Sequence, residues 1–374
     1  MAIKGVSKLP VSVSESDAIK IFEILAETNL KMGQIKTKFD CSIVSNPLVQ
    51  VLTLSESVQS TRIEGTQVTF SDMIEEKNKK HSRWEIIEVT NYQTALNQGA
   101  DRISQGYPIS TRLIKELHKI LMDRGSGTAQ ASGEFRKIQN FIGPTNRIED
   151  AVYLPVEANK IDSYMENLGF FINGEKHSSF ENKTKDNTFV FDYKAQPLIK
   201  TAIMHAQFES IHPFLDGNGR LGRILVALNL IKEDLISEPI FLVSEELEKE
   251  KSRYYDLLNG VRGDNPDWAP WIIFFLNACK RMSENLLKKL GEVDKLAREG
   301  LSKCNTKTEE EVWIFSFSEP VTTAPEVAKK VGISANTARK ALGSLSEAGL
   351  IYADKYAKRN KRYRNYDLVR ILRD

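Results

Sequence analysis

The sequence predicts a mainly α-helical protein of more than one domain, with a small β insertion in its middle and a winged helix-turn-helix unit at its C-terminal end. Three observations carry that prediction. Apolar residues return with a period near 3.6 along most of the chain. Glycine and proline interrupt the pattern between about residues 125 and 155. Beyond residue 306, two short periodic segments flank a Gly-Ile-Ser turn and lead into a basic stretch.

Bulk properties narrow the class. The 374 residues suffice for two or three domains at roughly 150 residues each. With 41% apolar and 27% charged residues, the composition is that of a globular protein rather than a disordered or coiled-coil chain. A formal charge of +2 excludes a strong global pull toward nucleic acid or an anionic membrane, so any such attraction is local. Cys41, Cys279 and Cys304 are too scattered for a disulfide framework or a structural zinc cluster, and a reducing cytoplasm is the expected home. The first residues contain no apolar run of signal-peptide length. The run from Trp268 to Leu276 is about half of what spans a bilayer and reads as a buried helix, so no membrane partner is expected.

Residues 1–100 are expected to form an N-terminal helical region. Ile21, Ile24 and Leu25 make an apolar stripe within Asp17 to Thr28, and Val44 to Leu54 begins another packed segment. Ser60-Thr61-Arg62-Ile63-Glu64-Gly65 reads as the end of a short helix over about residues 56–66, with Gly65 as its left-handed cap. A carboxylate in that last turn opposes the helix dipole, so Glu64 calls for a cationic partner.

Residues 101–290 are expected to form the main core. Glu85 to Ala100 and Thr111 to Met122 are helical, separated by the turn Gly106-Tyr107-Pro108. The Gly125 to Ala129 and Gly133 to Arg136 stretches are too glycine-rich for helix, and Ile148 to Pro155 reads as one arm of a small β-hairpin flap. Pro197 suits the first turn of a helix that runs to about Ser210. A glycine-rich turn follows, then a helix carrying Leu221, Ile224, Leu225, Leu228 and Leu230. Glu245 to Leu258 and Trp268 to Leu290 are two further helices. The charged stretch 291–305 finishes the second of these or links it to residues 306–374, where Ala324 to Ser334 and Ala335 to Ala348 form the helix-turn-helix and residues 349–364 a two-stranded wing.

The chemistry concentrates in His212-Pro213-Phe214-Leu215-Asp216-Gly217-Asn218-Gly219-Arg220-Leu221-Gly222-Arg223. Gly217 and Gly219 flank Asn218 just before a helix, so backbone amides can approach an anion while the helix start presents unpaired N–H groups. Arg220 and Arg223 add forked, charge-assisted donors for phosphate oxygens. Asp216 supplies the hard oxygen that a magnesium ion takes when nucleotide phosphates supply others. His212 is a base type poised near neutrality. Together they form a candidate phosphoryl- or nucleotidyl-transfer site, with the histidine accepting a hydroxyl proton and the cations stabilising charge on phosphate.

This segment matches in full the signature of the Fic family, and the chain resembles its longer members at Asn91-Tyr92, Gly133-Glu134-Phe135-Arg136, Glu209 and Ile211. The resemblance implies a Fic-type helical core and a protein adenylyltransferase, moving AMP from ATP to a Ser, Thr or Tyr hydroxyl and releasing pyrophosphate. It implies His212 as general base, Asp216 as the Mg2+ ligand, and Asn218 with the amides around Gly217 and Gly219 as the anion hole. Arg220 would hold the inner phosphates and Arg223 the γ-phosphate. The stretch 140–155 would align a target segment by strand pairing. Ser60, Glu64 and Gly65 resemble the family's inhibitory pattern, which implies that Glu64 pairs with Arg223 and, in some relatives, also directs water to remove AMP. A homodimer and self-modification belong to the same expectation.

Two rival readings stand beside this one. His205, Glu209, His212 and Asp216 recur at offsets suited to one helix face, as in a metallohydrolase, although Pro213 and the glycines break that regularity. The C-terminal unit reads as a DNA-binding regulator, with Ser334, Asn336, Thr337, Arg339 and Lys340 toward bases and Lys355, Lys358, Arg359, Lys361, Arg362 and Arg364 toward phosphates. His81, His118 and His177 show no convergent pattern, and Tyr107 and Phe135 read as core aromatics.

Overall fold

The computed structural model describes residues 2–76, 84–123, 131–145, 147–180, 186–354, 357 and 361–373, and these form fifteen α-helices and seven short strands. Strands β1 (Ile3–Lys4) and β2 (Val11–Ser14) precede α1 (Glu15–Asp40). Ser14 caps α1 by accepting the Asp17 N–H, and Glu15 and Asp17 complement the positive end of its dipole. The apolar stripe continues through Met32, Ile35 and Phe39, so α1 runs well past Thr28.

Helix α2 (Ser45–Ile63) unites the two segments that periodicity separates. Its middle carries Thr53, Glu56, Ser57, Ser60 and Thr61, polar residues that mask an apolar pattern yet are all buried. Backbone carbonyls one turn back absorb the hydroxyls, as Ser57 Oγ donates to Thr53 O at 2.6 Å and Thr61 Oγ1 to Ser57 O at 2.9 Å. Next come α3 (Phe70–Glu76), α4 (Trp84–Ser104) and α5 (Thr111–Leu121), then β3 (Tyr153–Leu154), α6 (Ile161–Asn173) and β4 (Thr188–Phe191).

The expected flap is reduced to a single antiparallel bridge, Ile142 to Tyr153. Ile142 N–H donates to Tyr153 O at 2.9 Å and Val152 N–H to Ile142 O at 2.8 Å. The outer edge pairs elsewhere, because β3 lies parallel to β1 in the register Ile3 to Tyr153. Strands β2 and β4 form a separate antiparallel pair.

Helices α7 (Pro197–Ile211) and α8 (Asn218–Lys232) occupy the centre. Every residue of α7 from Leu198 to Ile211 is buried, the mark of a helix enclosed on all sides. The helix expected over Glu245 to Leu258 is two helices, α9 (Val243–Lys249) and α10 (Lys251–Gly260), broken at Glu250. Helix α11 (Trp268–Leu301) extends through most of the stretch 291–305, packs along α1, and its Trp271 Nε1 donates to Ala202 O in α7 at 2.8 Å. Among the described residues, no helix is long and apolar enough to cross a membrane.

The C-terminal unit comprises α12 (Lys307–Phe315), β5 (Val321–Thr323), α13 (Ala324–Val331), α14 (Ala335–Glu347), β6 (Tyr352–Ala353), β7 (Arg362–Arg364) and α15 (Tyr366–Arg373). A Thr323–Glu326 capping box starts α13, and Ser334 caps α14 by accepting the Thr337 N–H. The strands lie in the order β5-β7-β6. Arg362 and Arg364 project from one face of the central strand β7 to meet Glu75 of α3, with Arg364 Nε 2.7 Å and Arg362 Nη1 3.1 Å from its carboxylate.

At the junction of α11 and α12, a Cβ on Gly300 would stand 2.2 Å from the Trp313 ring. Gly300→Ala gains helix propensity of about 1 kcal/mol, whereas overpacking a filled site costs typically 1–3 kcal/mol. Because the overlap is with a rigid, fully buried indole, the loss is expected to win. A denaturant midpoint below that of the parent checks this.

Candidate active site

The loop between α7 and α8 is set by its ends. His212 terminates α7 in the left-handed region (φ 50, ψ 61), and Pro213 prevents further helix. Gly217, at φ 76, opens α8, whose first amides have no side-chain cap among the described residues. The first bond into α8 is Leu221 N–H to Gly217 O at 3.0 Å, leaving the N–H groups of 218–220 directed outward. Arg136 braces the loop from outside: its N–H donates to Pro213 O and its Nε to His212 O, both at 2.9 Å.

Asn218 braces it from inside. Its Oδ1 accepts the Phe214 N–H and its Nδ2 donates to Phe214 O, both at 2.9 Å. That buried side chain therefore fixes the loop with its carbonyl oxygen and one amide hydrogen, and its second Nδ2 hydrogen and main-chain N–H remain as donors at the cavity.

His212 is partly exposed, and its Nδ1 lies 3.3 Å from Glu209 O. With Nδ1–H donating to that carbonyl, Nε2 keeps its lone pair for a proton. Burial, with Arg262 and Arg136 adding to it, pushes the imidazole down to about 4, so it is neutral at pH 7. Asp216 is half-exposed; its Oδ1 accepts the Gly217 N–H at 2.6 Å and stands 3.5 Å from Arg220 Nη2. Among the described residues no three His, Cys, Asp or Glu side chains converge as a ready-made metal cage. A lone carboxylate beside an anion-binding helix start fits a magnesium ion that arrives with nucleotide phosphates.

The two arginines are both buried. Arg220 Nη1 is 3.2 Å from Glu88 Oε2 of α4, and its Nε has no partner among the described residues. Arg223 is enclosed by the end of α2: Nε donates to Ser60 Oγ at 2.8 Å, and Nη2 to Ser60 O at 3.0 Å and Glu64 Oε1 at 2.6 Å. Gly65 turns the chain at φ 104 immediately after Glu64. The cationic partner expected for Glu64 is thus Arg223. Burial raises the Glu64 carboxyl, but the Arg223 guanidinium outweighs it and holds the group below the usual carboxylate range. A Cβ on Gly219 would lie 2.3 Å from Glu64 Oε1, so this carboxylate covers the first turn of α8.

Two cavities of about 370 and 510 Å³ meet at Glu64, His212 and Gly219. The smaller contains Asp216, Arg220 and the loop amides. The larger runs between Gly143, Pro144 and Val152 of the flap and Tyr255, Leu258 and Asn259 of α10. Behind Arg223, burial pushes the Glu56 carboxyl up to about 8 and the Glu209 carboxyl up to about 7.

The sequence matches the Fic/DOC family over residues 108–230 and the Fic/DOC family N-terminal region over residues 23–101. This chain belongs to the Fic/DOC family. The Fic/DOC chain is similar to the Protein adenylyltransferase Fic of Drosophila grimshawi, at 22% identity over 194 residues, 52% of this chain and 33% of that protein. It is also similar to the Uridine 5'-monophosphate transferase of Xanthomonas campestris pv. campestris (strain 8004), at 25% identity over 151 residues, 40% of this chain and 26% of that protein. The chain therefore spans about a third or less of the length of these curated relatives. Among solved structures, a Fic family protein from Desulfovibrio desulfuricans G20 shares the fold with a TM-score of 0.55 at 19% identity, over 92% of this chain and 95% of that one. Fic-1 from C. elegans does so with a TM-score of 0.51 at 16% identity, over 72% and 74% of the two chains.

In this Fic/DOC protein the signature residues converge with Ser60 and Glu64, whereas His205, Glu209, His212 and Asp216 gather into no metal cage among the described residues. His205 is buried, bonded through Nε2 to Tyr254 Oη at 2.9 Å and stacked near Trp271, so it is committed to packing. Of the residues expected to meet DNA, Arg362 and Arg364 are engaged by Glu75; Ser334, Asn336, Thr337, Arg339, Lys340 and Lys361 are exposed. Lys355, Lys358 and Arg359, like His81 and the Gly125 to Ala129 stretch, lie outside the described residues. Phe135 packs on Phe214 at 5.2 Å as a core aromatic, whereas Tyr107 is exposed beneath Arg102. Sequence reasoning missed Glu88, His118 and the α10 wall. Glu88 and His118 do leave a trace, each being a polar residue in the buried row of an amphipathic helix.

Proposed function

We propose that this Fic/DOC protein is a nucleotidyltransferase that moves AMP from ATP onto a Ser, Thr or Tyr hydroxyl of a protein and is held in check by Glu64. The observation that carries this is the Glu64 carboxylate on Arg223, over the open amides of α8 and beside a neutral His212. An anion already stands where a phosphate would, held by the donors a phosphate would use.

With Glu64 displaced, Arg223 and the α8 amides take the terminal phosphate and Arg220 the inner ones. The base enters the larger cavity, against Tyr255 and Leu258, with Asn259 offering a hydrogen-bonding edge. A target segment pairs with the flap, which brings its hydroxyl in line with the α-phosphorus. His212 Nε2 takes the hydroxyl proton as the oxygen bonds to that phosphorus, and the bond to the bridging oxygen breaks, releasing pyrophosphate. A magnesium ion held by Asp216 would neutralise charge on the departing group. Residues 1–100 then serve as inhibitory region and 101–290 as catalytic core. Residues 306–374 serve as a winged-helix domain docked through Glu75.

The test is intact-mass spectrometry of the protein incubated with magnesium and either ATP or UTP. An AMP-sized addition from ATP is expected. A UMP-sized addition alone reassigns the base, and a phosphate-sized one rejects attack at the α-phosphorus.

A further inference from the structure

We infer that His118 is a positioning residue that locks the Asp216–Gly217 peptide with its N–H toward the nucleotide; this rests on the nucleotide-transfer reading above. His118 lies on α5, outside the signature, and is buried. Its Nδ1 is 2.8 Å from the Gly133 N–H, and its Nε2 is 3.0 Å from Asp216 O. A backbone N–H can only donate, so Nδ1 is the acceptor and Nε2 carries the hydrogen. The ring also stacks on Phe214 at 3.8 Å and 8°, so the loop and the imidazole hold each other in register.

The consequence follows from peptide geometry. In a trans peptide the C=O and N–H point to opposite sides. Pinning Asp216 O to His118 therefore aims the Gly217 N–H at the opposite, cavity side, where Asp216 Oδ1 now accepts it. Glycine at position 217 leaves this peptide free to flip between turn conformations at little cost. The flipped form would present a carbonyl oxygen to a phosphate and repel it. The rear of the turn is closed by α5 and the residue after it, since a Cβ on Gly217 would stand 2.7 Å from Met122 Sδ and 3.4 Å from His118 Nε2. The left-handed glycine that the chain needs for the turn thus brings a flip hazard, which His118 removes.

The test separates the two ends of the imidazole, in a Glu64→Gly parent that leaves the anion site accessible. An asparagine side chain reaches only as far as Nδ1, toward Gly133, whereas a glutamine side chain reaches to the level of Nε2, toward Asp216. ATP affinity is measured by calorimetry without added divalent cation, and thermal midpoints are recorded alongside. His118→Asn and His118→Phe are expected to weaken ATP binding by about tenfold or more, the factor for one hydrogen bond of roughly 1.4 kcal/mol. His118→Gln is expected to stay within about threefold of the parent, because it restores the bond to Asp216 O. Should His118→Phe not fold, the Asn and Gln pair still decides. Equal affinities for that pair, or losses that follow the thermal midpoints alone, overturn the lock. A Glu64→Gly parent that binds no ATP overturns the transfer reading, and the lock with it.

Discussion

Replacing Glu64 by glycine is expected to raise AMP incorporation by about 5- to 150-fold, the range that 1–3 kcal/mol of differential binding supplies. The carboxylate competes with the phosphate for one guanidinium. Removing a partner from a buried ion pair costs several kcal/mol when nothing replaces it, but here Ser60 still accepts from Nε and from Nη2, and the triphosphate supplies the missing charge. The substitution should therefore lower the thermal midpoint of the free protein and restore it when ATP is added. Position 64 ends α2 just before Gly65, so glycine there disturbs little of the helix. Incorporation of labelled AMP by parent and variant, side by side, gives the measurement. Equal incorporation would remove the brake and leave Glu64 as a structural ion pair.

Much of the site is readable in sequence because its chemistry is local. Positions 212 to 223 lie on one turn and the helix start it leads into, so residue type and spacing determine the geometry. The end of α2 is legible for a different reason: a carboxylate at the negative end of a helix demands a cation, and Arg223 is that cation. What escapes is whatever depends on long-range packing. Periodicity divides α2 because buried hydroxyls that bond to their own helix look like surface residues. Asn218 reads as an anion ligand, and spacing alone does not reveal that its side chain also closes a ring with Phe214. Tyr255, Leu258 and Asn259 reach the site only because α10 breaks from α9 at Glu250, a break that the helical pattern over 245–258 conceals. Arg362 and Arg364 look like phosphate contacts until Glu75, far away in the chain, is seen to hold them.

Changing His212 to alanine is expected to slow transfer by about 10²- to 10⁴-fold, the usual contribution of a positioned general base, while ATP affinity stays within a few-fold. That split arises because the phosphate donors belong to α8 and the arginines, and the imidazole serves the incoming hydroxyl. The pH profile gives an independent check on the same group. In the free protein burial, Arg262 and Arg136 hold the imidazole near 4, against the weaker opposing pull of Glu209 O and Glu64. A base acts when unprotonated, so a depressed value extends activity toward acid. In the Glu64→Gly background, kcat/KM, which reports the free enzyme, should stay level from pH 8 to about 5, with no step near the 6.5 of ordinary imidazole. A bound triphosphate brings negative charge next to His212 and favours its protonated form, so kcat should begin to fall at a higher pH than kcat/KM does. If both quantities instead turn down together near 6.5, the imidazole titrates as though exposed, and the environment assigned to it by Arg262 and Arg136 is wrong.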